Sequence, residues 1–257
     1  MTTKIAVSNQ KGGAGKTTTS INVAGALNQL GYNVLLIDLD PQGHATEGVG
    51  LEDEYDADVI SFYDVLPDLD VIDETSQLIY EHSEMDVIPS HQDMINIEDA
   101  LAGVPNRENR LNMALDNLGE YEYIVVDCPP NLGVLTDNAL LACENVLIPA
   151  QTKTTSIRAL ELLFKQINAL EAAFGTEIKE VGLVANEVGT DNEADEMMEW
   201  FEEVFEERAP VWEIRKRVAL QRAWNTGVSI FEHEEDCDME KVYLQIAESL
   251  EGIDGER

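Results

Sequence analysis

The stretch NQKGGAGKTTT, Asn9 to Thr19, follows the short apolar run KIAVS and precedes a segment with helical periodicity. That order of strand, glycine-rich loop and helix constrains the fold more than any other feature, because it is the context of a phosphate-binding loop. The common pattern is G-x-x-x-x-G-K-[ST]. Gly15, Lys16 and Thr17 supply its end, but the position five before Gly15 is Gln10, and an additional lysine, Lys11, comes next. Gly12, Gly13 and Gly15 let backbone N–H groups turn inward on phosphate oxygens. The start of the helix adds its positive dipole end. The loop from Lys11 through Gly12, Gly13, Ala14, Gly15, Lys16, Thr17 and Thr18 is therefore the predicted nucleotide site. Lys16 is expected to reach the β- and γ-phosphates and the Thr17 hydroxyl to ligate Mg2+. The competing reading is a glycine-rich turn with a solvated lysine.

Along the chain, strands alternate with helices. Lys16 to Leu30 reads as a helix with Ile21, Ala24, Leu27 and Leu30 on one face and Gly31 as its C-cap. NVLLID (33–38), MDVIP (85–89), YIVVDCPP (123–130), NVLIPA (145–150) and EVGLVAN (180–186) read as strands. Ser156 to Phe174 reads as an amphipathic helix with Ile157, Leu160, Phe164, Ile167, Leu170 and Phe174 in one stripe. Acidic and final helices follow at about 193–207 and 239–250, the last with Val242, Ile246 and Leu250 inward. This predicts an α/β fold, a mostly parallel twisted sheet with helices on both faces, right-handed at its first crossover. With 257 residues, 44% of them hydrophobic, residues 1–257 are expected to form a single unit. No apolar run is long enough to predict a membrane span. The early first strand leaves no room for a signal peptide.

Two carboxylates stand where strands end. Asp40 follows LLIDL and precedes a proline; beyond a strand and near a γ-phosphate, it can orient water or accept its proton. Asp127 emerges at the end of YIVVD, where it can hold a Mg2+-bound water. Taken alone, the first is an Asp-Pro turn and the second a polar strand terminus.

Together these segments carry a resemblance. KGGAGKTT is similar to the deviant Walker A loop of the ParA/MinD family of P-loop ATPases, LLIDLDPQGHAT resembles its switch I, and YIVVDCPP resembles its Walker B and switch II. The chain is most similar to the ParA/Soj type. The resemblance implies ATP and Mg2+ as cofactors, with Lys11, Lys16 and Asp40 as the catalytic set and Thr17 and Asp127 at the metal. It also implies an ATP-dependent homodimer in which Lys11 crosses to the partner's nucleotide. Weak hydrolysis would be stimulated by a ParB-like centromere-binding or cargo-adaptor protein. The implied location is cytoplasmic and nucleoid-associated. Asn186, ending GLVAN, is a candidate adenine contact and equally an ordinary turn residue.

Arg215, Lys216, Arg217 and Arg222 fall within EIRKRVALQRAW. That stretch aligns loosely with the family segment I-P-R-N-V-R-L-S-E-A-P-S-x-G through Ile214, Val218, Leu220, Ala223 and Gly227. The four cations are candidates for nonspecific DNA contact, or for a solvated face paired with acids such as Glu213. A MinD-type regulator would need a basic C-terminal membrane helix, and the ending EGIDGER argues against one. A positioning ATPase for a cargo other than DNA fits the same motifs.

Charge sets the remaining expectation. Asp and Glu total 51 against 16 Lys and Arg, a formal net charge of −35. Self-repulsion of that size weakens a compact state in dilute buffer, and about 1 M salt screens it to roughly 3 Å. Acids spread along the chain point to a salt-loaded, halophilic cytoplasm rather than to an acidic tail. Cys128, Cys143 and Cys237 form no C-x-x-C pair and are expected to be reduced and structural.

Overall fold

The computed structural model describes residues 2–116, 118–119 and 121–253. Seven strands form one parallel sheet: β1 Thr3–Val7, β2 Val34–Asp38, β3 Asp86–Ile88, β4 Tyr123–Asp127, β5 Asn145–Gln151, β6 Lys179–Val188 and β7 Val211–Arg215. Their order is β3-β2-β4-β1-β5-β6-β7. Among the described residues ten α-helices accompany them, eight between strands and two after β7. The first five are α1 Lys16–Gln29, α2 His44–Gly48, α3 Phe62–Val65, α4 Ile97–Leu101 and α5 Arg110–Leu115. The others are α6 Val134–Cys143, α7 Thr155–Phe174, α8 Asn192–Phe205, α9 Val218–Asn225 and α10 Glu240–Leu250.

Because strand side chains alternate, the central strands bury residues on both faces. In β4, Val126 packs on one face with Ile37, Ile148, Leu163 and Phe201. Its neighbour Val125 packs on the other with Ile5, Leu27, Leu147, Tyr243 and Ile246. The expected parallel sheet with two helical layers is observed, with several local corrections. Phe174 ends its predicted stripe 43% exposed, and Leu163 takes a core place beside Leu160. In α10, Tyr243 and Ala247 are buried with Ile246 and Leu250, while Val242 is only half-buried. Leu30 lies at the end of α1, also half-buried. Strand β7 and helices α2, α6 and α9 are additions to the predicted elements. Among the described residues no helix is long and apolar enough to cross a membrane. The last four residues of EGIDGER lie outside the described residues.

The sheet's register places the chemistry. Val7 of β1 and Asp38 of β2 are both level with Asp127 of β4. The loop after β1, the segment after β2 and the end of β4 thus share one carboxyl edge, where chain direction across the sheet reverses and parallel α/β sheets bind ligands.

Candidate nucleotide site

The loop's shape is dictated twice over at Gly15. Its φ of +90° is left-handed, and a Cβ there would lie 2.6 Å from Asn186 Nδ2. Gly13, at φ +71°, takes the other left-handed turn. Asn186 is aimed inward where β6 loses register against β7, between Asn186 and Val188. Its Nδ2 donates to the Ala14 carbonyl at 3.1 Å and to Thr19 Oγ1 at 3.2 Å. The side chain read as a base contact or a turn residue therefore ties the loop to the sheet, while also lining the cleft. No acidic residue and no side-chain cap occupies the first turn of α1, so its N–H groups stay available to an anion.

Below the loop, a hydrogen-bonded group joins α1 to β4. Thr17 Oγ1 and Ser20 Oγ donate to the two oxygens of Asp127, both at 2.8 Å. Asp127 is fully buried, and burial raises its pKa; Ser20, Thr17 and Lys16 act in the opposite sense. Burial likewise lowers the pKa of Lys16, against the pull of Asp127. A wholly buried carboxylate served by two hydroxyls, beside an ammonium, forms a hard-oxygen donor set that suits Mg2+.

The segment after β2 is pinned by a carboxylate that the sequence reading passed over. Asp38 Oδ2 accepts from Thr46 N and Thr46 Oγ1, each at 2.8 Å, and its Oδ1 accepts from Asp40 N at 3.1 Å. Thr46 Oγ1 in turn accepts from Ser90 N. Burial, followed by the charge of Asp127, raises the Asp38 pKa. The D-x-D spacing in IDLDP was the signal available for it. Asp40 is 6% exposed and faces the cleft. Its Oδ1 accepts from Gln42 N at 3.0 Å, which fixes the carboxylate's direction.

Lys11 stands outside this cradle. Its Nζ donates to Thr155 Oγ1 at 2.7 Å, at the first residue of α7, and lies 3.5 Å from Ser156 Oγ. Burial and the nearby Lys153 lower its pKa, and Glu193 opposes them.

The cleft has a volume of about 770 Å³. It runs from the loop, past Asp40, Gln42 and His44, to a wall built by β7 and α9. Of the four cations considered for DNA, Arg215, Lys216 and Arg217 line this wall. Each carries an acid: Arg215 Nε on Glu213 at 2.7 Å, Lys216 on Glu187 at 3.3 Å, and Arg217 on Asp238 through Nε and Nη2 at 2.7 and 2.6 Å. Arg222 pairs with Glu235 at 2.6 Å. Leu220, Gln221 and Trp224 complete the wall; of these, Gln221 and Trp224 were not singled out from sequence. The three cysteines are buried free thiols.

An AAA domain family matches residues 2–180. The sporulation initiation inhibitor protein Soj of Bacillus subtilis is 36% identical over 250 residues, covering 96% of this chain and 97% of that protein. The chain belongs to the ParA/Soj family of P-loop ATPases. Chromosome partitioning protein ParA of Caulobacter vibrioides is 31% identical over 256 residues, 96% of this chain and 92% of its own. Among solved structures, cobyrinic acid a,c-diamide synthase from Mycobacterium smegmatis with an ATP analogue and magnesium superposes with a TM-score of 0.82. It is 29% identical and covers 98% of this chain and 95% of that one. The ATP complex of Cyanothece McdA, at 21% identity, shares the fold with a TM-score of 0.85 over 97% of this chain and 96% of that one.

Proposed function

We propose that this ParA/Soj-family chain is a partition ATPase that binds ATP with Mg2+ and pairs face to face with a second copy while ATP is bound. In that form it binds DNA without sequence preference, and hydrolysis releases it. The observation that carries the reading is the Thr17–Asp127–Ser20 cluster beneath a loop that ends in Lys16, with Asp40 across the cleft. When bound, Mg2+-ATP supplies the transferable phosphoryl group and a cation that draws charge from the phosphates. Lys16 and the first turn of α1 hold the negative charge. Thr17 and Asp127 supply oxygens on the metal's side. Asp40, held by the Gln42 N–H, orients the attacking water and accepts its proton at a carboxylate oxygen. Lys11 leaves Thr155 and reaches the partner's phosphates. A ParB-like protein stimulates turnover, and the chain acts in the cytoplasm on the nucleoid.

Light scattering of Asp40→Ala with ATP, Mg2+ and molar KCl tests the reading. A dimer that disappears in Lys11→Ala is expected; a monomer with both proteins overturns it. One observation favours a second reading, a positioning ATPase for a cargo other than DNA. All four cations at 215–222 are already matched by acids, so that surface presents little unbalanced positive charge. A mobility assay with ATP distinguishes the two: DNA retention lost in Arg215→Glu with Arg217→Glu supports partition, and no retention by either protein supports the other cargo.

A further inference from the structure

Helices α9 and α2, which each carry part of the cleft, meet at one indole ring, with α1 alongside at Gly48. Trp224, near the end of α9, lines the cleft beside Leu220 and Gln221. Its other side lies against Gly48 of α2. A Cβ built on Gly48 would collide with Trp224 Nε1, fall 2.5 Å from its Cδ1 and fall 2.7 Å from Ile21 Cδ1 of α1. Just beyond, backbone meets backbone: a Cβ on Gly227 would lie 3.0 Å from both Cα and N of Gly50. Packed interiors have no slack for even one added methyl, so the spacing of α2 and α9 is set by the ring and by these glycines.

The elements are not equivalent. α1 carries Lys16 and Thr17, and α2 begins four residues after Asp40 with His44 in the cleft wall. The far side of α2 is already fixed, because Thr46 is bound to Asp38 and Ser90. On the opposite side Trp224 shares the contact with Ile21, and it is only half-buried because its remaining surface faces the cleft.

We propose that Trp224 is a positioning residue: wedged between the cleft and Gly48, its ring sets where α2, and through α2 the Asp40 segment, stands against a bound nucleotide. The inference rests on the ATPase reading for its consequence, but its geometry exists in the free protein. Two measurements therefore separate the claims. Hydrogen exchange on the free protein should show residues 44–50 exchanging about tenfold faster in Trp224→Ala and near the wild-type rate in Trp224→Phe. Steady-state ATP turnover should show kcat lowered about tenfold in Trp224→Ala, KM within about threefold, and Trp224→Phe restoring most of the rate. Gly48→Ala, which pushes on the ring from the other side, should lower kcat in the same way, and it decides the matter if Trp224→Ala fails to fold. Unchanged exchange at 44–50 in a folded Trp224→Ala overturns the proposal, as does a raised KM with intact kcat. If the wild-type protein turns over no ATP, the ATPase reading fails while the exchange result still judges the ring.

Discussion

The two ends of the cleft solve the problem of charge in opposite ways. At the phosphate end, Lys16 and Asp127 are buried, their pKa values are shifted toward neutral forms, and the start of α1 carries no acid. At the other end, Arg215, Lys216 and Arg217, with Arg222 nearby outside the cleft, are solvent-facing, and each is already held by its own carboxylate. The first arrangement sets a buried ammonium, a buried carboxylate and the N–H groups of α1 at an open cleft. The second is electrically finished.

The comparison breaks most decisively at the phosphate end. Lys16→Ala is expected to lower kcat/KM for ATP by about a hundredfold or more, since charge on the phosphates then lacks its buried counterpart; a coupled phosphate-release assay reads this directly. A loss below about tenfold would mean that the two ends matter equally. Gly15→Ala should follow, with ATP binding lost and stability reduced by at least about 1–2 kcal/mol from the left-handed backbone alone; denaturant melts and calorimetric titration check both.

Smaller effects belong to the rim. Neutralising its acids, with Glu213→Gln and Asp238→Asn together, frees two cations and should tighten DNA binding severalfold at low salt, with a steeper salt dependence. A mobility assay across a KCl series measures it, and no change would place the DNA surface elsewhere. For the whole chain, raising KCl from about 0.1 M to about 1 M should raise the melting midpoint as self-repulsion is screened; a flat series removes the halophile expectation. The smallest effect is one of pH. Hydrogen bonding to Arg217 holds Asp238 below its ordinary value of 3.8. The folded form therefore favours the ionised acid, and the pair's contribution is present above that value and lost as pH falls through the lower folded one. Because the pair is solvent-exposed, the loss is slight, and a melt of Asp238→Asn against wild type between about pH 5 and about pH 3 should show the two curves converging at the acid end.

The same contrast explains what could be read from residues alone. The loop was legible because torsion and chemistry dictate glycines, Lys16 and Thr17 at adjacent positions. Asp127 was legible because an uninterrupted apolar run ends on it, as a strand buried on both faces does. The rim was not. Strand β7, VWEIR, is an edge strand whose first three residues are only half-buried, so it shows neither an apolar run nor clean alternation. The acids that neutralise Lys216, Arg217 and Arg222 sit at 187, 238 and 235, and only the folded chain brings them near. Helix α9 was hidden by its neighbouring cations, which drew attention to charge: Leu220 and Ala223 were matched by position without being read as a helix face, and Trp224 was passed over. Asp38 was missed because one aspartate of the pair was assigned a role and the other was read as part of the strand.

Gly15 answers to two constraints that no single exchange can lift together. Trimming Asn186 would clear space for a methyl group but leave the torsion unfavourable, and relaxing the torsion would leave the methyl against the amide. Compensation between these distant positions is blocked in either order. Mutational drift should therefore find this corner of the molecule closed, whatever happens to the acidic surface around it.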